Sequence, residues 1–158
     1  MKERSWNEDT VLLQEVYSAG TLVASLVEAE LRKAGIAPQL FSFLAWVQLL
    51  EPATPGTLAA ETGIPPTTIR DYLRRLSERG DIVRRPNPLD GRSYLVKLTP
   101  RGRRLVDRGA PLVGDVFRRV EPHLPRPSEE YAERARELRE GLAAVVAEDE
   151  QNTRVNVA

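Results

Sequence analysis

The sequence predicts a mainly α fold with a small β-hairpin wing, a winged helix-turn-helix flanked by long N- and C-terminal helices, and three observations carry that expectation. Apolar residues recur with helical spacing along most of the chain, but just after Gly80 the period shortens to two. Two short helical stretches joined by a turn at Gly63 come immediately before that change. Cationic residues concentrate in the middle of the chain, between two acidic ends.

The elements follow in order. Asn7, Glu8 and Asp9 form a helix start, with acids where the helix dipole favours them. Leu12, Val16, Ala19, Val23 and Leu26 continue one apolar face toward a stop at Lys33 and Gly35. Pro38 begins a second helix, apolar nearly all round from Leu40 to Leu50 and therefore central. Thr54 caps a short third helix with Pro55 at its first position, and Leu58, Ala59 and Thr62 carry it to Gly63. A fourth runs from about Pro66 to Gly80 on Ile69, Tyr72, Leu73 and Leu76. Ile82–Arg85 and Arg92–Leu98 read as two strands around a turn-rich loop, with Tyr94, Val96 and Leu98 on one face. Thr99-Pro100 caps a long helix that Gly109 and Pro111 should kink or interrupt. After Pro122, Pro125 and Pro127, Ser128 starts a last helix with Tyr131, Ala135, Leu138, Leu142 and Val145 on its inner face, and residues 149–158 form a flexible tail.

Composition narrows the function classes. The 158 residues suit a single unit. With 41% hydrophobic and 29% charged residues, and no apolar run approaching the length of a bilayer span, no membrane partner is expected. No apolar segment with a cleavage site follows Lys2 and Arg4, which points to the cytoplasm. The absence of cysteine removes disulfides, thiolate metal sites and thiol redox sensing, and His123 alone makes no metal cluster. No phosphate loop or nucleophile arrangement appears, so neither an enzyme nor a cofactor is expected. The net charge of zero conceals −3 over residues 1–54, +6 over 55–104 and −3 over 105–158, the distribution of a polyanion-binding module on a non-binding scaffold.

The second helix of a helix-turn-helix is the one that enters the major groove of double-stranded DNA. On the helix from Pro66, the core holds the apolar side and leaves Thr67, Thr68, Arg70, Asp71, Arg74 and Arg75 outward. Arg70 and Arg74 suit the O6 and N7 atoms of guanine, Thr67 and Thr68 suit phosphate or thymine methyls, and Pro66 offers apolar contact. A plainer account of Arg74 and Arg75 is a solvated helix face paired with Glu78. At the hairpin tip, Arg92 fits a narrow minor groove, with Asp90 placed to orient it by a charge-assisted bond. An ordinary surface turn with a local ion pair is the alternative.

The run Asp90-Gly91-Arg92-Ser93-Tyr94-Leu95-Val96-Lys97-Leu98-Thr99-Pro100-Arg101-Gly102 resembles the wing signature of the multiple antibiotic resistance regulator (MarR) family. Leu58-Ala59 with Gly63, then Thr68-Ile69-Arg70 through Leu73, Leu76 and Arg79-Gly80, resemble its helix-turn-helix. Pro65-Pro66 departs from the Ser or Thr cap common in the family. The resemblance implies one unit over 1–158: dimerisation helices at 7–34 and 100–148, a DNA-binding region at 38–99, and a homodimer on a pseudo-palindromic operator, more often repressing than activating. It also implies a small lipophilic or phenolic effector in a cleft between the two regions. Trp6, Tyr17, Phe41, Phe43 and Trp46 either line such a cleft, with Arg32 or Lys33 as anion partner, or belong to the core. A winged helix that binds another protein instead of DNA is the competing reading.

Overall fold

The computed structural model describes residues 8–155, and the side chains of residues 10–149. The N-cap expected at Asn7 and the aromatic Trp6 lie outside the described residues. The order is α1 (Glu8–Lys33), α2 (Pro38–Leu50), α3 (Pro55–Thr62), α4 (Pro66–Glu78), β1 (Ile82–Pro86), β2 (Tyr94–Leu98), α5 (Pro100–Val120), a 3-10 turn (Glu121–His123) and α6 (Ser128–Val155). Helix ends follow local chemistry. Thr54 accepts from the Thr57 N–H at 3.0 Å, Thr99 accepts from the Gly102 N–H at 3.1 Å, and Gly63 and Gly80 close α3 and α4 at positive φ.

α2 is the centre of the molecule because it is apolar on every side. Leu40, Phe41, Phe43, Leu44 and Val47 are all buried, and α1, α3, α4, α5 and β2 pack around them. α4 presents Ile69, Leu73 and Leu76 to this core, and Tyr72 sets its ring 5.3 Å from that of Phe43. β1 and β2 pair antiparallel with Ile82 opposite Leu98 and Pro86 opposite Tyr94. The predicted alternation holds, since Val96 and Leu98 are buried while Leu95 and Lys97 are not. Ala53 bridges Val96 as a short third strand, and the Glu51 carboxylate accepts from the Leu98 N–H at 2.7 Å, so the wing is anchored to the end of α2.

Three features of the structure bear on the sequence expectations. Pro111 does not interrupt α5, which is continuous from Pro100 to Val120. Asp107, whose carbonyl loses its helical donor, is exposed, and the buried or half-buried Val106, Leu112 and Val113 hold the flanking turns against the core. Helical structure also continues through residues 149–155, which the sequence reading assigns to a tail. Finally, α1 between Thr10 and Lys33, with a mean hydropathy of 1.3, is long and apolar enough to cross a membrane by length and composition. The core helix of a soluble protein and a signal sequence pass the same test.

The outer helices leave apolar faces without cover. Val11, Leu12, Leu13, Tyr17, Leu22 and Val23 on α1 are exposed, Tyr17 by 74%, as are Leu142, Val145 and Val146 on α6. The periodic inner face expected for α6 therefore has little to face within its own chain.

Gly109 explains how α5 approaches the core. A Cβ there would collide with the Phe41 ring, so the absent side chain sets the distance between α2 and α5. Gly109→Leu is expected to lower the unfolding free energy by about 1–3 kcal/mol, outweighing the gain of up to roughly 1 kcal/mol from better helix propensity. Urea denaturation checks this, and an unchanged midpoint would contradict the close approach.

Candidate nucleic-acid interface

The apolar stripe of α4 fixes what the helix shows to solvent. With Ile69, Leu73 and Leu76 buried, Thr67, Arg70, Arg74 and Glu78 recur at spacings of three and four along the exposed face, and exposed Pro66 leads into it. Thr68, half-buried, and Arg75, exposed, share a neighbouring flank with Tyr72. The six α4 residues singled out from sequence are thus on one helix but divide between two flanks. No side chain caps α4, because Pro65 stands at the N-cap, so the first N–H groups are open to an external acceptor.

Arg74 is held within the protein. Its Nη2 donates to Asp71 Oδ1 at 2.6 Å, and its Nη1 donates to the two Glu78 oxygens at 3.0 and 3.2 Å. Bonding to Asp71, and after it to Glu78, raises the guanidinium pKa above its ordinary value. Arg75 stands 3.8 Å from the other Asp71 oxygen. The plainer sequence account thus holds for Arg74, with Asp71 as a second partner. Arg70 has no carboxylate partner among the described residues.

The wing tip is organised by backbone bonds. Asp90 Oδ1 accepts from the Arg92 backbone N–H at 3.0 Å, and Ser93 N–H returns to the Asp90 carbonyl at 3.0 Å. Asp90 therefore shapes the turn that carries Arg92 through a charge-assisted bond to the Arg92 backbone, and the local ion pair of the alternative reading is not formed among the described residues. No hydrogen bond or ion pair joins Asp90 or Arg92 to α4 among the described residues.

Sequence reasoning missed three contributors. Arg84 and Arg85 on β1 are exposed without a carboxylate partner among the described residues, and Arg84 stacks 5.0 Å above the Tyr94 ring. Their place on a hairpin that already carries a basic tip was the available signal. The third is Asp81, the one charged side chain buried among the described residues. Its two carboxylate oxygens accept from Arg79 Nε at 2.7 Å and Arg101 Nε at 3.0 Å. Its carbonyl accepts from the Thr99 N–H at 3.0 Å, and a Cβ on Gly102 would collide with that same carbonyl. Asp81 thereby ties the end of α4 to the root of the wing and the start of α5.

Of the aromatic residues considered for a cleft, Phe41 and Phe43 are buried core, Trp46 is half-buried and Tyr17 is exposed, while Arg32 pairs with Glu28 and Lys33 with Glu30. A different open groove of about 490 Å³ lies between α1, α5 and the 3-10 turn, with Leu26, Val116 and Val120 beside Arg118, Arg119 and His123.

Residues 34–93 match the sequence model of the MarR family. HTH-type transcriptional repressors of Mycobacterium tuberculosis and Mycobacterium bovis are 27% identical over 122 residues, which is 77% of this chain and 88% of theirs. A mutant MarR from E. coli complexed with operator DNA is similar with a TM-score of 0.72 and 26% identity, over 89% of this chain and 99% of that one. CouR from Rhodococcus jostii RHA1 bound to p-coumaroyl-CoA is similar with a TM-score of 0.67 and 27% identity, over 87% and 92% of the two chains.

Asp81→Asn keeps the size of the side chain and removes the charge that two guanidiniums share. It is expected to cost about 1–3 kcal/mol of stability, limited because both arginines reach water. A thermal unfolding midpoint equal to that of the parent would contradict the clamp.

Proposed function

We propose that the chain is a regulator of the MarR type, a sequence-specific double-stranded DNA-binding transcriptional repressor acting as a homodimer on a pseudo-palindromic operator. The observation that carries the reading is the co-placement of an exposed arginine face on α4 with a basic wing tied to it through Asp81. α4 fits the major groove, where Arg70 and Arg74 meet base edges and Pro66, Thr67 and Thr68 lie at the backbone end. Arg75 on the flank and Arg84 and Arg85 on the hairpin supply phosphate contacts. Asp90 shapes the tip that delivers Arg92 to the adjacent minor groove.

A second copy of the chain covers the apolar faces of α1 and α6, and two-fold symmetry gives one winged helix per half-site. Such a protein works in the cytoplasm and carries no catalytic centre. Its relative CouR is bound to p-coumaroyl-CoA, and a small lipophilic or phenolic ligand is the effector class we infer for this chain. The groove beside Leu26 and Val116, with Arg118, Arg119 and His123 at its edge, has the apolar and cationic surfaces such a ligand needs. An effector acts by binding the DNA-competent arrangement less well than the other.

Selection of bound fragments from a random-sequence duplex pool tests the reading. An inverted repeat with half-site centres about one helical turn, roughly 10 base pairs, apart is expected. Failure to retain DNA even at low salt would overturn it in favour of a protein partner. On the recovered site, Arg92→Ala is expected to weaken binding by about 1–3 kcal/mol while the dimer stays folded. Undiminished affinity would remove Arg92 from the interface.

A further inference from the structure

Two carboxylates stand among the arginines of the α4 face, where a polyanion would be repelled. Asp71 and Glu78 flank Arg74 at i−3 and i+4, with contacts of 2.6 and 3.0 Å, while Arg70 one turn earlier pairs with no carboxylate among the described residues. All three side chains are substantially exposed, so burial of the acids is not what the arrangement achieves. The acids raise the Arg74 pKa by hydrogen bonding, which stabilises the bound guanidinium.

The consequence for DNA lies in what Arg74 can do without leaving its partners. A phosphate that approached Arg74 would also face both carboxylates, whose two negative charges outweigh the single positive charge of the guanidinium. A guanine edge is uncharged and presents two acceptors, and Arg74 keeps N–H groups beyond those the acids engage. The pair also removes rotamer freedom from Arg74 before any DNA arrives.

We propose that Asp71 and Glu78 are specificity-determining residues, which hold Arg74 for base-edge contact and withhold its charge from phosphate. Sequence-independent attraction then falls to Arg84, Arg85 and Arg92, which have no carboxylate partner among the described residues. The inference rests on α4 being the DNA-reading helix.

The test measures the affinity of the full-length protein for its selected operator and for a scrambled duplex of equal length, across a salt series. The parent is compared with Asp71→Asn, Glu78→Gln and the double variant Asp71→Asn/Arg74→Ala. Asp71→Asn is expected to tighten binding to the scrambled duplex by about tenfold at low salt, and to steepen the log–log salt slope by about 1 per subunit as Arg74 reaches phosphate. The operator-to-scrambled ratio falls, Glu78→Gln does the same less strongly, and the double variant loses the added binding. A selective parent whose Asp71→Asn form keeps the same slope and ratio would overturn the inference and leave the DNA reading intact. So would a double variant that retains the excess. A parent that binds neither duplex overturns the DNA reading itself.

Discussion

Asp81 is the constraint on which the reading surface depends. A buried carboxylate is costly unless each oxygen finds a strong donor, and here Arg79 and Arg101 provide one each. Its backbone is engaged as well: the N–H donates to the Leu76 carbonyl at 2.9 Å, closing α4, and the carbonyl takes the Thr99 N–H that begins α5. Gly80, at φ 72°, turns the chain so that both can happen, and Gly102 leaves the space. The recognition helix, the wing and the first long helix after it therefore meet at one residue. Displacing that residue moves Arg74 and Arg92 relative to each other without touching either.

The second organising feature is what the single chain leaves unfinished. The core around α2 is closed, yet α1 and α6 hold apolar side chains toward solvent. Exposed apolar faces of that kind mark association sites. Arg139 on α6 donates to the Glu61 carbonyl on α3 at 2.9 Å, and Arg119 on α5 reaches Glu30 on α1 at 3.1 Å. α6 is thereby joined to the winged helix and α5 to α1, giving a physical route by which rearrangement at the dimer seam would alter the spacing of the two reading heads.

Much of this was legible in the sequence, because hydrophobic period, proline and glycine position each act locally. The caps at Thr54 and Thr99, the burial of α2 and the alternation through Tyr94, Val96 and Leu98 follow from nearest neighbours along the chain. Asp81 was not legible, since an acid in an arginine-rich run looks like a solvated turn until Arg101 is brought to it from twenty residues away. Pro111 does not end α5 for the complementary reason: its local cost is real, but packing of Val106, Leu112 and Val113 against the core holds the turns on either side of it. Asp71 stood in plain view on the α4 face, yet only the geometry shows that it restrains Arg74. The aromatic residues near α2 read equally as core or cleft from sequence, and packing decides for core at Phe41 and Phe43.

Hydroxyl-radical footprinting of the protein on its selected duplex tests the central claim most directly, because it reports where each subunit sits on the backbone. The account predicts two symmetric zones of protection with centres about one helical turn apart, each with flanking minor-groove protection that disappears in Arg92→Ala. A single protected zone, or flanking protection that persists without the Arg92 guanidinium, would contradict a two-fold dimer reading DNA through helix and wing together.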